Sequence, residues 1–271
     1  MRGLRDGSGE RYRALPCAVA PTGAGRFAPP APHPGWSGVR DGTRPSRTAP
    51  QPTRDFGRLD VAPYAGATLT GALLATPEAK GLFRRAIIQS GNGTGAFTPE
   101  QAQRVTATAA AALGVEPTAE AFAPIPDERL LAILPALAGL DLRTSTAMDP
   151  LVGLSPFSLV LPVQPADALA DGPARDVDLL IGTNTEEGHL YLVPQGDLES
   201  TTEADVLAVA TRVHADPETV LAAHCAARPD ETPGELRSAM LGQALFESGT
   251  TRMAQAHARI AGGSTYVYSF G

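Results

Sequence analysis

Three short apolar runs, each set apart from the next by helical sequence, constrain this chain more than any other feature. RRAIIQ at residues 84–89, VDLLIG at 177–182 and STYVYSF at 264–270 are rich in β-branched, aromatic or aliphatic residues and bounded by turn formers. The middle run is continuously apolar, which predicts a strand in a sheet covered on both faces. Between the runs lie helical stretches with recognisable ends. Residues 67–75 are rich in Ala and Leu, and Pro77 ends or restarts that helix. Thr98 caps a helix that carries Pro99 and Glu100 in its first turn and stops at Gly114. Asp127 is the expected cap of a helix through Ala138, and 166–169 form a helical turn. Further helices are expected at 202–213, 216–226 and 232–261, capped by Thr202, Asp216 and Thr232, with Pro217 and Pro233 at their first positions. Strands that alternate with helices need crossover connections, so the pattern predicts a parallel sheet of the α/β class. No period of repetition suggests a solenoid.

The 271 residues, 43% apolar and 19% charged, are enough for one large domain with a substantial core. The net charge of −7 is unevenly distributed. Residues 1–60 hold ten Arg against five acids, and the remainder is strongly acidic. Those Arg residues are interrupted by Pro and Gly and form no clustered basic face, which argues against nucleic-acid binding. Residues 1–64 read as a hairpin around Asp6 to Gly9 followed by a Pro/Gly-rich wrapping segment anchored by Trp36, and residues 65–271 as the body. No apolar run reaches membrane-spanning length and the first residues lack a hydrophobic leader core, so a soluble, cytoplasmic chain is expected. Cys17 and Cys225 are too far apart in sequence to define a disulfide framework, and a packing role is expected for Cys17. His214, His224 and Cys225 lack metal-site spacing, so neither a metal nor another cofactor is expected.

The residues ahead of Ala65 break the pattern. DFGRLDVAP at 55–63 carries three charges, a Gly and a Pro, and reads as unfit for a central parallel strand. From Ala65 to Gly91 the sequence AGATLTGALLATPEAKGLFRRAIIQSG resembles the helix and strand that follow the nucleophile turn of the type B carboxylesterases. In that family the turn is G-x-S-x-G and its Ser attacks the ester. Here residues 62–66 read APYAG, Tyr64 stands at the Ser position, and no G-x-S-x-G occurs elsewhere. Residues 26–52 resemble the family's amino-terminal region, which lies well before that turn. The resemblance therefore implies that an internal block, with central strands and the Gly-rich oxyanion loop, is missing at a join near Tyr64 and Ala65.

An esterase of the Ser-His-acid kind needs a hydroxyl, a His, a carboxylate that holds the His, and donors for the oxyanion. The resemblance assigns the acid to Glu187, in GTNTEEG at 182–188, where the end of a parallel strand is also the usual place for catalytic groups. A solvated acidic turn at Glu186 and Glu187 is the plainer alternative. Ser90 matches a Ser that sits beside the acid and orients it by a hydrogen bond. Neither Ser90 nor the phenol of Tyr64 is expected to replace the nucleophile, since no base is identified for either. His33, His189, His214, His224 and His257 match no family context for the triad base.

The resemblance implies a partial α/β-hydrolase fold, with an incomplete, mostly parallel sheet flanked by helices. It also implies cofactor-free hydrolysis of small carboxylic esters through an acyl-serine intermediate. The chain is expected to be incompetent in that chemistry. A non-catalytic binding module with an unspecified protein partner and a gene fragment without function are the alternatives.

Overall fold

The computed structural model describes residues 59–63, 65–260 and 262–271. The amino-terminal hairpin, the wrapping segment with Trp36, Cys17, His33 and the side chain of Tyr64 lie outside the described residues. Four strands, β1 (Leu59–Pro63), β2 (Arg85–Gln89), β3 (Asp178–Asn184) and β4 (Thr265–Phe270), pair in parallel in the order β1-β2-β3-β4. The three strands expected from sequence are present within two residues of their predicted limits. The fourth is a correction. Leu59–Pro63, which the sequence places with the amino-terminal segment, runs beside β2 from Leu59 opposite Arg85 to Pro63 opposite Gln89. It is the outermost strand of the described sheet, a position that tolerates a Pro with no N–H to donate.

Among the described residues, the core packs on one face of the sheet. Ala86 and Ile88 of β2 and Leu179 and Ile181 of β3 are buried there. They pack with Ala67 and Leu74 of helix α1 (Ala65–Leu74) and with Met253 of the last helix in one core. On the other face, among the described residues, Ile87 and Leu180 are half-buried, and Tyr266, in register with Leu180, is 58% exposed.

The excursion between β2 and β3 opens with α2 (Pro99–Leu113). Thr98 Oγ1 accepts from the N–H of Gln101, Gln101 Oε1 accepts in return from the Thr98 N–H, and Gly114 ends the helix in the left-handed region at φ 71°. Thr98→Ala is expected to cost about 1 kcal/mol and to lower the melting temperature by about 2–4 °C in a thermal melt. The helix expected from Asp127 to Ala138 is two pieces, α4 (Asp127–Ala132) and α5 (Leu134–Leu137), after a short α3 (Ala119–Phe122). Pro135 explains the break, because it lacks an N–H and its ring conflicts with the carbonyl four residues earlier. The cap of α4 is Pro126, with Asp127 already helical. A final turn, α6 (Pro165–Ala168), leads into β3.

Between β3 and β4 run α7 (His189–Leu192), α8 (Asp197–Ser200), α9 (Glu203–Val213), α10 (Pro217–Ala227), α11 (Pro233–Gly242) and α12 (Ser248–Ile260). Thr202, Asp216 and Thr232 cap α9, α10 and α11 as the sequence predicts. The single helix expected over 232–261 is interrupted by a π-helical turn at Gln243–Glu247. No described helix is long and apolar enough to cross a membrane.

Candidate functional site

The carboxyl ends of β2 and β3 bring the two sequence-predicted polar residues together. Immediately after β2, Ser90 adopts φ 57°, a left-handed conformation uncommon for a residue with a side chain. Its N–H is held by the carbonyl of Gly182, 2.9 Å away on β3, so the turn is fixed to the neighbouring strand. Its Oγ donates to Oε1 of Glu187. The same Oε1 accepts from the backbone N–H of Asn184 at 2.8 Å and from Asn184 Nδ2 at 3.1 Å. Ser90 and Glu187 are 5% and 4% exposed, so the carboxylate is buried and held by three donors.

Glu186 behaves differently from its neighbour. Its side chain is exposed and faces His189 Nδ1 at 3.4 Å, so the solvated-turn description fits Glu186 and not Glu187. Gly188 closes the turn against the backbone carbonyl of Ser238 on α11, where a Cβ has no room. Gly188→Ala is expected to cost more than about 2 kcal/mol, read as a lower urea midpoint at unchanged slope.

Two cavities meet these residues. One, of about 390 Å³, is lined by Ser90 and Asn92 from the loop after β2, by Ala65 and Thr68 of α1, and by Phe157 and Phe246. Ala65 is the first residue of α1 and Pro63 the last of β1, so position 64 is the single residue between strand and helix. The second cavity, of about 160 Å³, lies behind Glu187 and is acidic, with Glu231, Glu235 and Glu247 around Arg228. Burial pushes the Glu247 carboxyl up, Arg228 beside it pulls it down, and the charge of Glu187 raises it further. Glu231, which faces Arg228 Nε at 3.5 Å, is likewise pushed up chiefly by burial. Among the described residues no group of three His, Cys, Asp or Glu side chains could hold a metal ion.

The four described histidines do not serve the Glu187 carboxylate. His257 is fully buried, with Nδ1 2.7 Å from Thr265 Oγ1 and Nε2 3.3 Å from the Ala174 carbonyl, and burial holds its pKa below the usual value. His224 is buried on α10 and lowered by the same cause, with Arg228 adding to it. His214 bonds the backbone of Asp216, and His189 faces Glu186.

Sequence reasoning missed four contributors. Asn92 reads as a turn residue, yet it is 95% buried and its Oδ1 accepts from both the N–H and the Oγ1 of Thr94. Phe157 lies in a loop with no periodicity to mark it. Leu245 and Phe246 sit in the π turn that interrupts a regular helical pattern; it carries both into the 390 Å³ cavity, where Phe246 stacks on Tyr191 with ring centres 6.4 Å apart.

A small parallel sheet flanked by helices, with a buried carboxylate in the turn after β3, is part of an α/β-hydrolase fold. Solved structures agree. The carboxylesterase EST55 of Geobacillus stearothermophilus superposes with a TM-score of 0.63 at 27% identity, over 78% of this chain and 43% of that one. A PNB esterase superposes with a TM-score of 0.56 at 25% identity, over 78% and 43%. Among curated sequences, the para-nitrobenzyl esterase of Bacillus subtilis (strain 168) is 34% identical over 142 residues, which is 52% of this chain and 28% of that protein. The model of the carboxylesterase family matches residues 2–59 and 61–271. The chain belongs to the carboxylesterase family, and it spans less than half the length of the relatives it matches.

Proposed function

We propose that this chain is a carboxylic-ester hydrolase by descent that keeps the acid end of the site and lacks the attacking group, and so does not hydrolyse esters as written. The observation that carries this reading is the contrast between the two strand ends. At β3, Glu187 is buried and its Oε1 is held by Ser90 and Asn184. Between β1 and α1, where the family's attacking Ser belongs, the sequence has Tyr64.

In the family chemistry a serine oxygen attacks the ester carbonyl while an imidazole takes its proton and the acid steadies that imidazole. Glu187 is suited to the last of these tasks, and Ser90 to fixing the Glu187 rotamer. Ser90 is a poor substitute nucleophile, because its proton is directed to Glu187 and none of the four described imidazoles bonds it. The two matched family segments meet at residue 60, four residues before Tyr64. That supports an internal block absent at residue 60, slightly ahead of the join that the sequence suggests.

The ligand class that fits is a small carboxylic ester in the 390 Å³ cavity, bound without turnover. A non-catalytic binding role is the second reading, favoured by the persistence of that cavity in the absence of the nucleophile. Assay with p-nitrophenyl acetate beside a serine-directed fluorophosphonate probe tests the proposal. The expected result is no rate above a heat-denatured control and no labelled residue; turnover with labelling at one site overturns it.

A further inference from the structure

A third cavity, of about 440 Å³, shares no lining residue with the cavity beside Ser90 or with the acidic one behind Glu187. The π turn at Gln243–Glu247 builds part of its wall. In that turn the Ser248 N–H bonds the Gln243 carbonyl, five residues back, so Gln243 stands one turn beneath Ser248. Ser248 opens α12, and Arg252 lies one regular turn above it on the same face. An uninterrupted α-helix, at 3.6 residues per turn, would swing Gln243 roughly 140° away from Ser248. The π turn thus stacks Gln243, Ser248 and Arg252 in one column, and all three line the cavity.

Each member of the column has a hydrogen to give. Among the described residues nothing bonds the Ser248 hydroxyl, and Arg252 commits only Nη2, to Asp167, which leaves Nη1 and Nε. Burial and Arg228 hold the His224 pKa down and a hydrogen bond to Gln243 opposes them, as it does when the amide oxygen of Gln243 accepts from the ring. The Gln243 amide N–H groups stay available. The amide and carboxylate acceptors of the wall, by contrast, are committed or shut away. Gln101 Oε1 takes the Thr98 N–H and Gln164 Oε1 the Ala96 N–H. Asp149, the one acid among the described lining residues, is 2% exposed, with Oδ1 on the Leu151 N–H and Oδ2 closed off from the cavity. Half-buried Met148, Pro150, Val213 and Val220 supply the apolar wall.

We propose that this cavity binds a small carboxylate with a compact apolar body, the carboxylate on Gln243, Ser248 and Arg252 and the body against Met148, Pro150, Val213 and Val220. A carboxylate offers only acceptors and matches a guanidinium flanked by neutral donors. An inorganic dianion fits poorly, because one Arg already shared with Asp167 answers only part of its charge and the apolar wall answers none. A cation meets Arg252 and finds no open acid in the wall. The volume falls in the range of small-molecule sites. The inference goes beyond the ester-site reading and stands whether or not that site turns over.

Isothermal titration of the full chain with para-tert-butylbenzoate, its neutral amide para-tert-butylbenzamide, and acetate tests the site. The benzoate is expected to bind at least about fivefold tighter than the amide, which lacks the charge, and at least about a hundredfold tighter than acetate, which lacks the body. Arg252→Met, which keeps the apolar stem, is expected to weaken the benzoate by at least about fivefold and leave the amide within about twofold. Asp167→Asn removes the same exposed ion pair but frees the guanidinium, so benzoate binding is expected to hold or tighten. Gln243→Leu is expected to weaken the benzoate by about threefold. Equal affinity for benzoate and amide overturns the proposal, as does unchanged benzoate binding by Arg252→Met, or no saturable binding up to about 10 mM. A loss in Asp167→Asn equal to that in Arg252→Met also overturns it, since the part of the ion pair in the fold then accounts for both.

Discussion

Tyr64→Ser is expected to leave p-nitrophenyl acetate hydrolysis within about twofold of the unsubstituted chain, both at the heat-denatured background. In a Ser-His-acid site the groups act as a unit, and loss of the nucleophile or the base alone costs on the order of a millionfold in kcat. Restoring one member therefore recovers little while another is missing. None of the four described histidines bonds Glu187, whose Oε1 is filled by Ser90 and Asn184. Initial rates for the two proteins, with fluorophosphonate labelling, give the comparison directly. A gain of about a hundredfold or more on Tyr64→Ser would show that base and oxyanion donors are in place and that only the hydroxyl is lacking.

Glu187→Leu is expected to destabilise the fold by about 3–5 kcal/mol, seen as a melting temperature lower by about 6–12 °C or more. The substitution strands three donors at once: the buried Ser90 hydroxyl and the N–H and amide of half-buried Asn184. Each unsatisfied donor carries a desolvation penalty of about 1–3 kcal/mol before relaxation. Glu187→Gln keeps an acceptor oxygen in the same place and is expected to cost only about 1–2 kcal/mol. Circular dichroism melts of the three proteins separate the cases. A Glu187→Leu chain that melts with the unsubstituted protein would remove the structural role argued for the carboxylate. A cooperative transition in the unsubstituted chain also counts against a non-functional fragment, which would expose unpaired strand edges and melt gradually or aggregate.

Most of the fold was legible because its elements announce their ends locally. Thr98, Thr202, Asp216 and Thr232 cap their helices, and β2, β3 and β4 carry apolar runs bounded by turns. Less was legible where tertiary pairing overrides local signals. Leu59–Pro63 carries a charge and a Pro that speak against a central strand, yet it finds a partner at the outside of the sheet. The pairing of Glu187 with Ser90 followed from family resemblance, since residues 97 apart in sequence have no local sign of contact. Asn92 and Phe157 had no such guide.

The amino-acid sequence by itself determined the α/β alternation, the helix ends, the family, and the substitution of Tyr64 at the attacking position, because each is written in residue types and short-range spacing. Only the tertiary structure decided which of two adjacent acids is buried and that Leu59–Pro63 pairs with β2 at the outside of the described sheet. Those outcomes depend on pairing and packing between segments far apart along the chain, and no local pattern encodes either.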